Sequence, residues 1–293
     1  MSDELPPTEG IDAATAQLDT LGSSDLVRTL IAANRTSVDV AERSTEAIAV
    51  AVDAVVRALR ARRHVHYVGA GTSGRLAILD AAELPPTFGV SPDLVRAHIA
   101  GGAPAIVRAV EGAEDDSHAG AALGAVFAAG DVVIGLSASG GASYVLGALV
   151  AARVAGATTI GIANAPGSPL LRDADIAIVL DTGAEPIAGS TRLKAGTAQK
   201  IVLNAISSAA MVQLGKVYGN LMVDVVATNV KLKRRAERLV HTILGEQVDA
   251  GAVLAAAGGN VKRAVVMQRL GVDALEADRR LAEHGERLGE TIA

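Results

Sequence analysis

A glycine-rich turn between two apolar patterns constrains the fold of this chain more than any other feature. The run Val65–Val68 favours a β-strand, and apolar residues recur at helical spacing from Leu76 onward. The turn between them contains three glycines: Gly69, Gly71 and Gly74. Glycines let a backbone approach a ligand closely, and the N–H groups at a helix N-terminus favour an anion. The sequence therefore predicts a strand, a tight turn and a helix arranged to bind a phosphate.

The same glycines match the G-x-G-x-x-G pattern of dinucleotide-binding proteins. That pattern needs an acidic residue at the end of the next strand, about 20 residues on, to bind a ribose. Asp93 has this spacing, but it precedes the apolar run 94–99 instead of following it. Thr72 and Ser73 place two hydroxyl groups in the turn, which suits a small phosphomonoester better than a pyrophosphate. We therefore expect no nicotinamide, flavin or other cofactor.

Strand and helix patterns alternate from about residue 64 to residue 180, which predicts a parallel sheet covered by helices on both faces. The predicted strands are 65–68, 94–99, 132–136, 158–162 and 176–179, and the predicted helices between them are 74–82, 104–110, 119–129 and 143–155. Helical patterns also precede and follow this region. We expect an α/β chain with a helical extension at 1–60, the sheet at 61–228 and a small all-helical unit at 229–293.

A second turn of the same kind follows the apolar run 132–136, and it contains Ser137, Ser139 and Gly140. Ligands of open parallel sheets bind beyond the carboxyl ends of the strands, so both turns are expected at one site. Together their hydroxyl groups would form a phosphate cradle that needs neither metal nor lysine. The alternative is that these serines only cap helices, which is the usual role of serine at such positions. The occurrence of two such turns favours the cradle.

A third polar loop, 181–197, precedes a long helical pattern from about Ala198 to Leu214. Its charged and hydroxyl side chains include Glu185, Ser190 and Lys194. They either contact a substrate or form a solvated connection, and the sequence leaves both interpretations open.

Composition excludes several classes of function. The chain has no cysteine, which rules out disulfides, thiolate metal sites and cysteine nucleophiles. Its net charge of -5 argues against a nucleic-acid surface, and its histidines lack close metal-binding spacing, so no metal is expected. The first residues are acidic and the apolar stretches are short, so we expect no secretory signal, no membrane span and a cytoplasmic protein.

Two acidic positions are candidates for acid–base chemistry. Glu83 directly precedes Leu84-Pro85-Pro86, and the two prolines are predicted to end its helix. Glu114 belongs to an acidic group within 111–116. Two carboxylates that face each other across a phosphate-anchored sugar would suit general acid and general base roles. The ordinary alternative for either residue is a solvated surface glutamate.

Several long motifs resemble those of the N-acetylmuramic acid 6-phosphate etherases, a family of the sugar isomerase (SIS) domain superfamily. The resemblance runs from about Thr8 to the C-terminus, and its motifs are YVGAGTSGRL at 67–76, DAAELPPTFG at 80–89, EGAED at 111–115, GSTRLKAGTAQK at 189–200 and GKVYGNLMVDV at 215–225. It implies an SIS-type sheet flanked by helices at 61–228. The unit at 229–293 resembles the ubiquitin-associated-like (UBA-like) tail of this family.

The resemblance implies a lyase that removes the lactyl ether of N-acetylmuramic acid 6-phosphate during peptidoglycan recycling. The products would be N-acetylglucosamine 6-phosphate and D-lactate, formed by elimination and addition of water. Glu114 would handle the C2 proton, which the C1 aldehyde of the open sugar acidifies. Glu83 would protonate the departing lactate oxygen from a partly dry pocket, and would later help water to add.

The two turns and the third polar loop supply the remaining site residues. Those expected to bind the sugar phosphate are Gly71, Thr72, Ser73, Ser137, Ser139, Gly140, Glu185, Ser190 and Lys194. A homodimer is expected, with Glu185 or Lys194 reaching across the subunit boundary. No nucleic acid, membrane or cofactor is expected as a partner.

The sequence departs from the family pattern at three places. Arg-Thr-Pro-Tyr usually follows the second turn, where this chain has Gly141-Ala142-Ser143-Tyr144, so that Ser143 would replace a lost hydroxyl group. The usual Gly-Pro-Glu-Val is Gly183-Ala184-Glu185-Pro186, and the segment at 8–12 lacks the common Arg-Asn-Pro. These changes leave both glutamates in place, but they leave open the substrate affinity and the substituent on the sugar.

Two other functions fit the same cradle. An aldose–ketose isomerase would need the phosphate site and one base, and it would release no lactate. A non-catalytic sugar-phosphate sensor, as in the related glucokinase regulatory proteins, would bind the ligand without turnover. Those proteins resemble two SIS domains in tandem, whereas this chain has room for one.

Overall fold

The computed structural model describes residues 6–224 and 230–293. The first five residues, Val225 of the last motif and the predicted boundary at 228 therefore lie outside the described residues. The chain divides into two compact units. The first comprises residues up to 82 together with 93–207, and the second comprises 83–92 together with residues from 208 onward.

A five-stranded sheet forms the centre of the first unit. Its strands are β1 (Val65–Gly69), β2 (Val95–Ile99), β3 (Val132–Ser137), β4 (Thr158–Ala163) and β5 (Ile176–Val179), in the order β2-β1-β3-β4-β5. All neighbouring strands are parallel. Every residue of β1 and of β3 is buried, and apart from His66 and the terminal Ser137 both strands consist of apolar residues, glycine and tyrosine, as expected for a sheet covered on both faces. The predicted α/β fold with a parallel, helix-flanked sheet is confirmed.

Helices precede the sheet and connect its strands, and the last parts of two of them, from residues 83 and 208 onward, belong to the second unit. The N-terminal helices are α1 (Ser23–Ala33), α2 (Arg35–Arg43) and α3 (Thr45–Arg60). The connecting helices are α4 (Gly71–Phe88), α5 (Pro104–Val107), α6 (Ser117–Ala122), α7 (Ser143–Val154) and α8 (Pro169–Asp173), and α9 (Lys194–Gln213) follows the third loop. Helix α3 packs on the sheet with an apolar face that includes Val52, Val55 and Leu59.

Helix α4 continues through the two prolines that the sequence predicted would end it. It runs to Phe88, so Pro85 and Pro86 lie inside its last turns. Proline removes a backbone donor from a helix, but Leu84 and Phe88 are buried and hold this end in place. Gly89 then closes the helix in a left-handed conformation, and its N–H donates to the Pro85 carbonyl at 2.9 Å. The predicted end at Glu83 was therefore wrong.

The second unit is mainly helical. It contains a short antiparallel hairpin, β6 (Val217–Tyr218) and β7 (Leu221–Met222), followed by α10 (Val230–Leu244), α11 (Ala250–Ala256), α12 (Val261–Leu270), α13 (Ala274–Glu283) and α14 (Leu288–Thr291). Its core includes Val240, Val265 and Leu288. Side chains of Asp249, Asn260 and Asp273 cap α11, α12 and α13, respectively. The predicted all-helical C-terminal region is confirmed.

The apolar character of the chain does not extend to a bilayer-spanning segment in the part described. Within residues 6–224 and 230–293, none of the helices combines the length and hydropathy that a membrane span requires.

Candidate functional site

The strand order creates a crevice at the carboxyl ends of β1 and β3. The chain leaves β1 for β2 on one side and then returns to β3 on the other side, so the direction of winding changes between β1 and β3. Ligands of open parallel sheets bind at such a switch point. Gly69, the last residue of β1, is paired with Leu136, one residue before the end of β3, so the two hydroxyl-bearing turns begin side by side.

A cavity of about 270 Å³ lies between the two turns. It is lined by six of the predicted site residues: Gly71, Thr72, Ser73, Glu114, Ser137 and Ser139. Among the lining residues that the sequence analysis did not select are Glu9, Gly189 and Thr191. The structure therefore brings both turns, one of the two candidate carboxylates and the third loop to the same cavity.

The three glycines of the first turn have different roles. Gly71 begins α4 with a φ of +52°, and nothing lies within 4 Å of the position of a Cβ there. Its conformation requires glycine, and the space above it is open to a ligand. A Cβ on Gly69 would lie 2.7 Å from the backbone nitrogen of Gly74, and one on Gly74 would lie 2.6 Å from Ile99 Cγ1. These two glycines allow α4 to pack closely against the strands.

The serines of the second turn cap backbone groups and line the cavity as well. Ser137 Oγ accepts a hydrogen bond from the Gly140 N–H at 3.1 Å, and Ser139 Oγ accepts one from the Gly141 N–H at 3.2 Å. A hydroxyl group that accepts from an N–H keeps its own hydrogen to donate. The capping and phosphate-binding interpretations of these serines are therefore compatible.

Two other residues near the second turn do not line the cavity. Gly140 is buried with a φ of +67°, and a Cβ there would overlap Ser168 Oγ. It serves the close packing of the turn rather than forming part of the cavity surface. Ser143 begins α7 and does not line the cavity either, so the structure gives no support to its replacing the lost hydroxyl group.

Glu114 also lines a second, adjoining cavity of about 180 Å³. This cavity shares Ala70 and Gly71 with the first, and Arg75 and Glu111 add charge to it. Glu114 lies in a 3₁₀ turn, Ala113–Asp115, and its side chain is exposed. Its carboxylate is thus accessible from both cavities.

The buried Glu185 holds the start of α9. Its two carboxylate oxygens accept hydrogen bonds from the N–H groups of Lys194 at 2.8 Å and Ala195 at 2.9 Å. Burial raises the pKa of Glu185, whereas these hydrogen bonds and the charge of Lys194 act to lower it. Glu185, Lys194 and the partly buried Ser190 do not line either cavity, although Gly189 and Thr191 line the first. In the third loop, the residues that reach the cavity are thus Gly189 and Thr191, the neighbours of the predicted Ser190.

Glu83 lies on α4 in the part of that helix that belongs to the second unit. Its side chain is exposed, while the adjacent Leu84 is buried. In the single chain Glu83 is therefore exposed to solvent and does not lie in the expected partly dry pocket.

A buried polar cluster around Asp80 was not predicted from the sequence. The Tyr67 hydroxyl donates to one carboxylate oxygen at 3.1 Å, and Asn204 Nδ2 and Ser207 Oγ donate to the other at 2.8 and 3.1 Å. Burial raises the pKa of Asp80, and the three hydrogen bonds oppose that shift. Asp80 lies three residues before Glu83 on α4, so the cluster fixes the helix close to the candidate acid. An acidic residue within the apolar helix pattern was the only signal for it.

The buried imidazole of His66 contacts a second histidine. His66 Nδ1 lies 3.0 Å from His98 Nε2, and Asp131 Oδ2 lies 3.5 Å from His66 Nε2. Burial, together with the nearby His98, lowers the pKa of His66 to about 4. In the part of the chain that the structure describes, no cluster of three or more metal-ligating side chains occurs.

Comparisons with known proteins identify the fold family and its relatives. The family profile described as "SIS domain" matches residues 106–209, and that described as "Glucokinase regulatory protein N-terminal SIS domain" matches 47–153. An N-acetylmuramic acid 6-phosphate etherase of Deinococcus radiodurans is 50% identical over 281 residues, which cover 95% of this chain and 92% of the relative. The protein of the same name from Symbiobacterium thermophilum is 48% identical over 267 residues, covering 90% and 89%.

A solved structure supports the same fold. A phosphoheptose isomerase from Francisella tularensis superposes with a TM-score of 0.53 at 20% sequence identity, covering 66% of this chain and 100% of that chain. At this level of identity the similarity concerns the fold alone.

Proposed function

The chain belongs to the family of N-acetylmuramic acid 6-phosphate etherases, and on that premise we propose how its residues act. As a member of this family it is a carbon–oxygen lyase that removes the lactyl ether of N-acetylmuramic acid 6-phosphate. The products are N-acetylglucosamine 6-phosphate and D-lactate, so the amino sugar of peptidoglycan is recovered. The observation that carries the proposal is the cavity at the ends of β1 and β3, which hydroxyl-bearing residues of two turns line together.

The phosphate of the substrate binds between the two turns. Thr72 and Ser73 at the start of α4, with Ser137 and Ser139 of the second turn, donate hydrogen bonds to its oxygens. The N-terminus of α4 adds a favourable dipole. Support comes from the positive φ of Gly71, which leaves open space where a ligand approaches the backbone.

Glu114 removes the C2 proton of the open-chain sugar. The C1 aldehyde acidifies this proton, and the electron pair left at C2 forms a double bond to C3 as the C3–O bond breaks. Glu83 gives a proton to the departing lactate oxygen. Water then adds at C3 and C2 regains a proton, which yields N-acetylglucosamine 6-phosphate. Support for Glu114 is its position at the junction of the two cavities, and support for Glu83 is the family resemblance.

The remaining parts of the chain have supporting roles in this proposal. Residues 61–228 form the SIS catalytic domain, 1–60 its helical extension and 229–293 the UBA-like unit. Gly140 keeps the second turn in place. Glu185, Ser190 and Lys194 act on the substrate by shaping the third loop, whose Gly189 and Thr191 line the cavity.

The protein acts as a homodimer in the cytoplasm. Helix α1 has no buried residue in the single chain, and its Val27 and Ile31 are 54% and 65% exposed. Adjacent exposed apolar side chains of this kind mark protein–protein contacts, and a second copy of the chain would cover them. The charged sugar phosphate does not cross a bilayer unaided, so the enzyme works in the compartment where this substrate is formed.

Incubation of the purified protein with N-acetylmuramic acid 6-phosphate, followed by an assay of D-lactate, tests the function. We expect stoichiometric D-lactate and N-acetylglucosamine 6-phosphate, and a Glu83→Gln variant that binds the sugar phosphate but releases lactate at least about a hundredfold more slowly. An isomerase would interconvert sugar phosphates without lactate, and a sensor would bind the substrate without change. Either result would overturn the proposal.

A further inference from the structure

Glu9 is a cavity residue to which the sequence analysis gave no role. It ends a short 3₁₀ turn, Pro7–Glu9, and its side chain lines the cavity between the two hydroxyl-bearing turns. Among residues 6–224 and 230–293, no hydrogen bond or ion pair engages its carboxylate. A carboxylate without a protein partner at the edge of a substrate cavity is available to a ligand.

The backbone around Glu9 is anchored rather than loosely attached. The preceding Thr8 is fully buried. The Glu9 N–H donates to the Pro6 carbonyl at 2.8 Å, and the Gly10 N–H donates to the Pro7 carbonyl at 3.1 Å. The position of a Cβ on Gly10 lies 3.5 Å from Ala184 Cβ, so this segment packs against the third loop.

The third loop also determines where the Glu9 carboxylate can lie. Glu9 Oε2 is 2.8 Å from the position that a Cβ on Gly189 would occupy. Gly189 has a φ of +73°, a conformation that favours glycine. Because residue 189 has no side chain, the carboxylate can rest directly against the loop and beside the cavity.

The charges of the cavity limit what part of a ligand Glu9 can meet. Glu9 and Glu114 both line it, and no lysine or arginine does so in the described part of the chain. A carboxylate accepts hydrogen bonds and donates none, and a phosphate dianion has the same limitation. Contact between Glu9 and the phosphate would therefore be repulsive, whereas contact with a hydroxyl or amide N–H would be a charge-assisted hydrogen bond.

We propose that Glu9 is a specificity-determining residue that accepts a hydrogen bond from a hydroxyl or amide N–H group of the sugar and disfavours a free anion in the cavity. The proposal rests on the sugar-phosphate function given above, and it adds a third carboxylate to that site. The phosphate cradle alone does not distinguish a sugar phosphate from inorganic phosphate. Glu9 makes this distinction, because only the sugar brings a donor to it.

Binding measurements with two ligands test this role. Wild type, Glu9→Gln and Glu9→Ala are titrated by calorimetry with N-acetylglucosamine 6-phosphate and, separately, with inorganic phosphate at fixed ionic strength. Both variants should bind the sugar phosphate about tenfold more weakly, because the lost hydrogen bond to a charged group outweighs the relief of repulsion toward the phosphate. Both should bind inorganic phosphate more tightly, because a negative charge has been removed from the cavity.

A matched control is Asp19→Asn, which also converts an exposed carboxylate of the N-terminal segment to an amide. Asp19 does not line the cavity, so neither affinity should change. In the lactate assay, Glu9→Gln should raise KM about tenfold while kcat changes less than about twofold, because Glu9 binds the sugar away from the reacting atoms.

Opposite changes for the two ligands support the proposal. A parallel change for both ligands, no change for either, or a wild type that binds neither would overturn it. If the wild type releases no lactate but the two affinities still change in opposite directions, the etherase function fails while the role of Glu9 stands. If the Glu9→Gln protein releases lactate and both affinities are unchanged, the role of Glu9 fails while the etherase function stands.

Discussion

Glu185 caps the helix that Lys194 begins: its carboxylate accepts the Lys194 N–H at 2.8 Å and is completely buried. The acid that the family resemblance assigned to substrate binding thus uses both oxygens within the protein, since the Ala195 N–H occupies the other. Glu185 therefore affects the site indirectly, by holding the start of α9 in position. The Gly196 of this helix approaches Thr72, because a Cβ there would lie 3.2 Å from Thr72 Cγ2.

Removal of the Glu185 side chain should therefore destabilise the fold. Glu185→Ala leaves two buried N–H groups without an acceptor, and we expect the free energy of unfolding to fall by about 3 kcal/mol. Urea unfolding monitored by circular dichroism measures this loss. Asp181→Ala, an exposed change in the same loop, should cost less than about 1 kcal/mol. Equal decreases in the free energy of unfolding of the two variants would contradict the stabilising role of Glu185.

A hydrogen-exchange experiment should distinguish the roles of the two candidate catalytic carboxylates, Glu83 and Glu114. In D₂O, wild type should incorporate deuterium at C2 of the product, as proton removal and return require. Glu114→Gln should lose both exchange and lactate release by at least about a hundredfold. Glu83→Gln should keep C2 exchange of the substrate while lactate release is lost. Loss of exchange in Glu83→Gln with retention in Glu114→Gln would show that the two roles are reversed.

The hydroxyl of Thr72 can be tested with an isosteric pair. Thr72→Val keeps the methyl group that packs near Gly196 but removes the hydroxyl, so phosphate binding should weaken by about tenfold. Thr72→Ser keeps the hydroxyl and should retain most of the affinity. Calorimetric titration with N-acetylglucosamine 6-phosphate provides the comparison. Equal affinities for the two variants would exclude Thr72 from the phosphate cradle.

Acid should destabilise the first unit through His66. The unfolded imidazole has a pKa of 6.5 and the folded one a pKa of about 4, because burial and nearby His98 and Arg96 outweigh Asp131. Between these two pH values the unfolded state binds more protons than the folded state. The contribution of His66 to the free energy of unfolding is therefore fully present above pH 6.5 and is lost as the pH falls toward 4. The decrease attributable to His66 is at most about 3 kcal/mol.

Thermal unfolding between pH 7.5 and pH 4.5 measures this dependence. His66→Leu should flatten the decrease in Tm, whereas His118→Gln, which alters an exposed histidine, should leave the slope as in wild type. An unchanged slope in His66→Leu would mean that other groups control the acid sensitivity.

The proposed homodimer places Ile31 in a contact between two chains. Ile31→Asp introduces a charge on the exposed face of α1, and we expect the dimer to dissociate into monomers by sedimentation velocity at micromolar concentration. Ser24→Asp, a second exposed change on the same helix but one that replaces a polar residue, serves as the control. Dimers of unchanged stability in Ile31→Asp would exclude this face of α1.

Local sequence patterns were sufficient to predict the strands of the sheet and the two turns that follow β1 and β3. All five strands were predicted within one residue at each end, because each is a mainly apolar run between turn residues. The end of α4 was missed because buried Leu84 and Phe88 override the local effect of two prolines. The end of α4 depends on tertiary packing, about which a local sequence pattern gives no information.

The site was predicted where its residues follow strands and missed where they come from distant parts of the chain. Thr72 and Ser137 line the cavity as the turn patterns predicted. Glu9 reaches the same cavity only because the N-terminal segment packs near Gly189, and no local pattern links positions 180 residues apart in the chain. The cap that Glu185 provides likewise depends on how the third loop folds back onto α9.

The contact between Glu9 and Gly189 makes these two positions an epistatic pair. Any side chain at 189 would enter the volume that the Glu9 carboxylate occupies, so a change there alters the acidic wall of the cavity even when residue 9 is untouched. Attempts to redesign the enzyme for other sugars should therefore consider the two positions together.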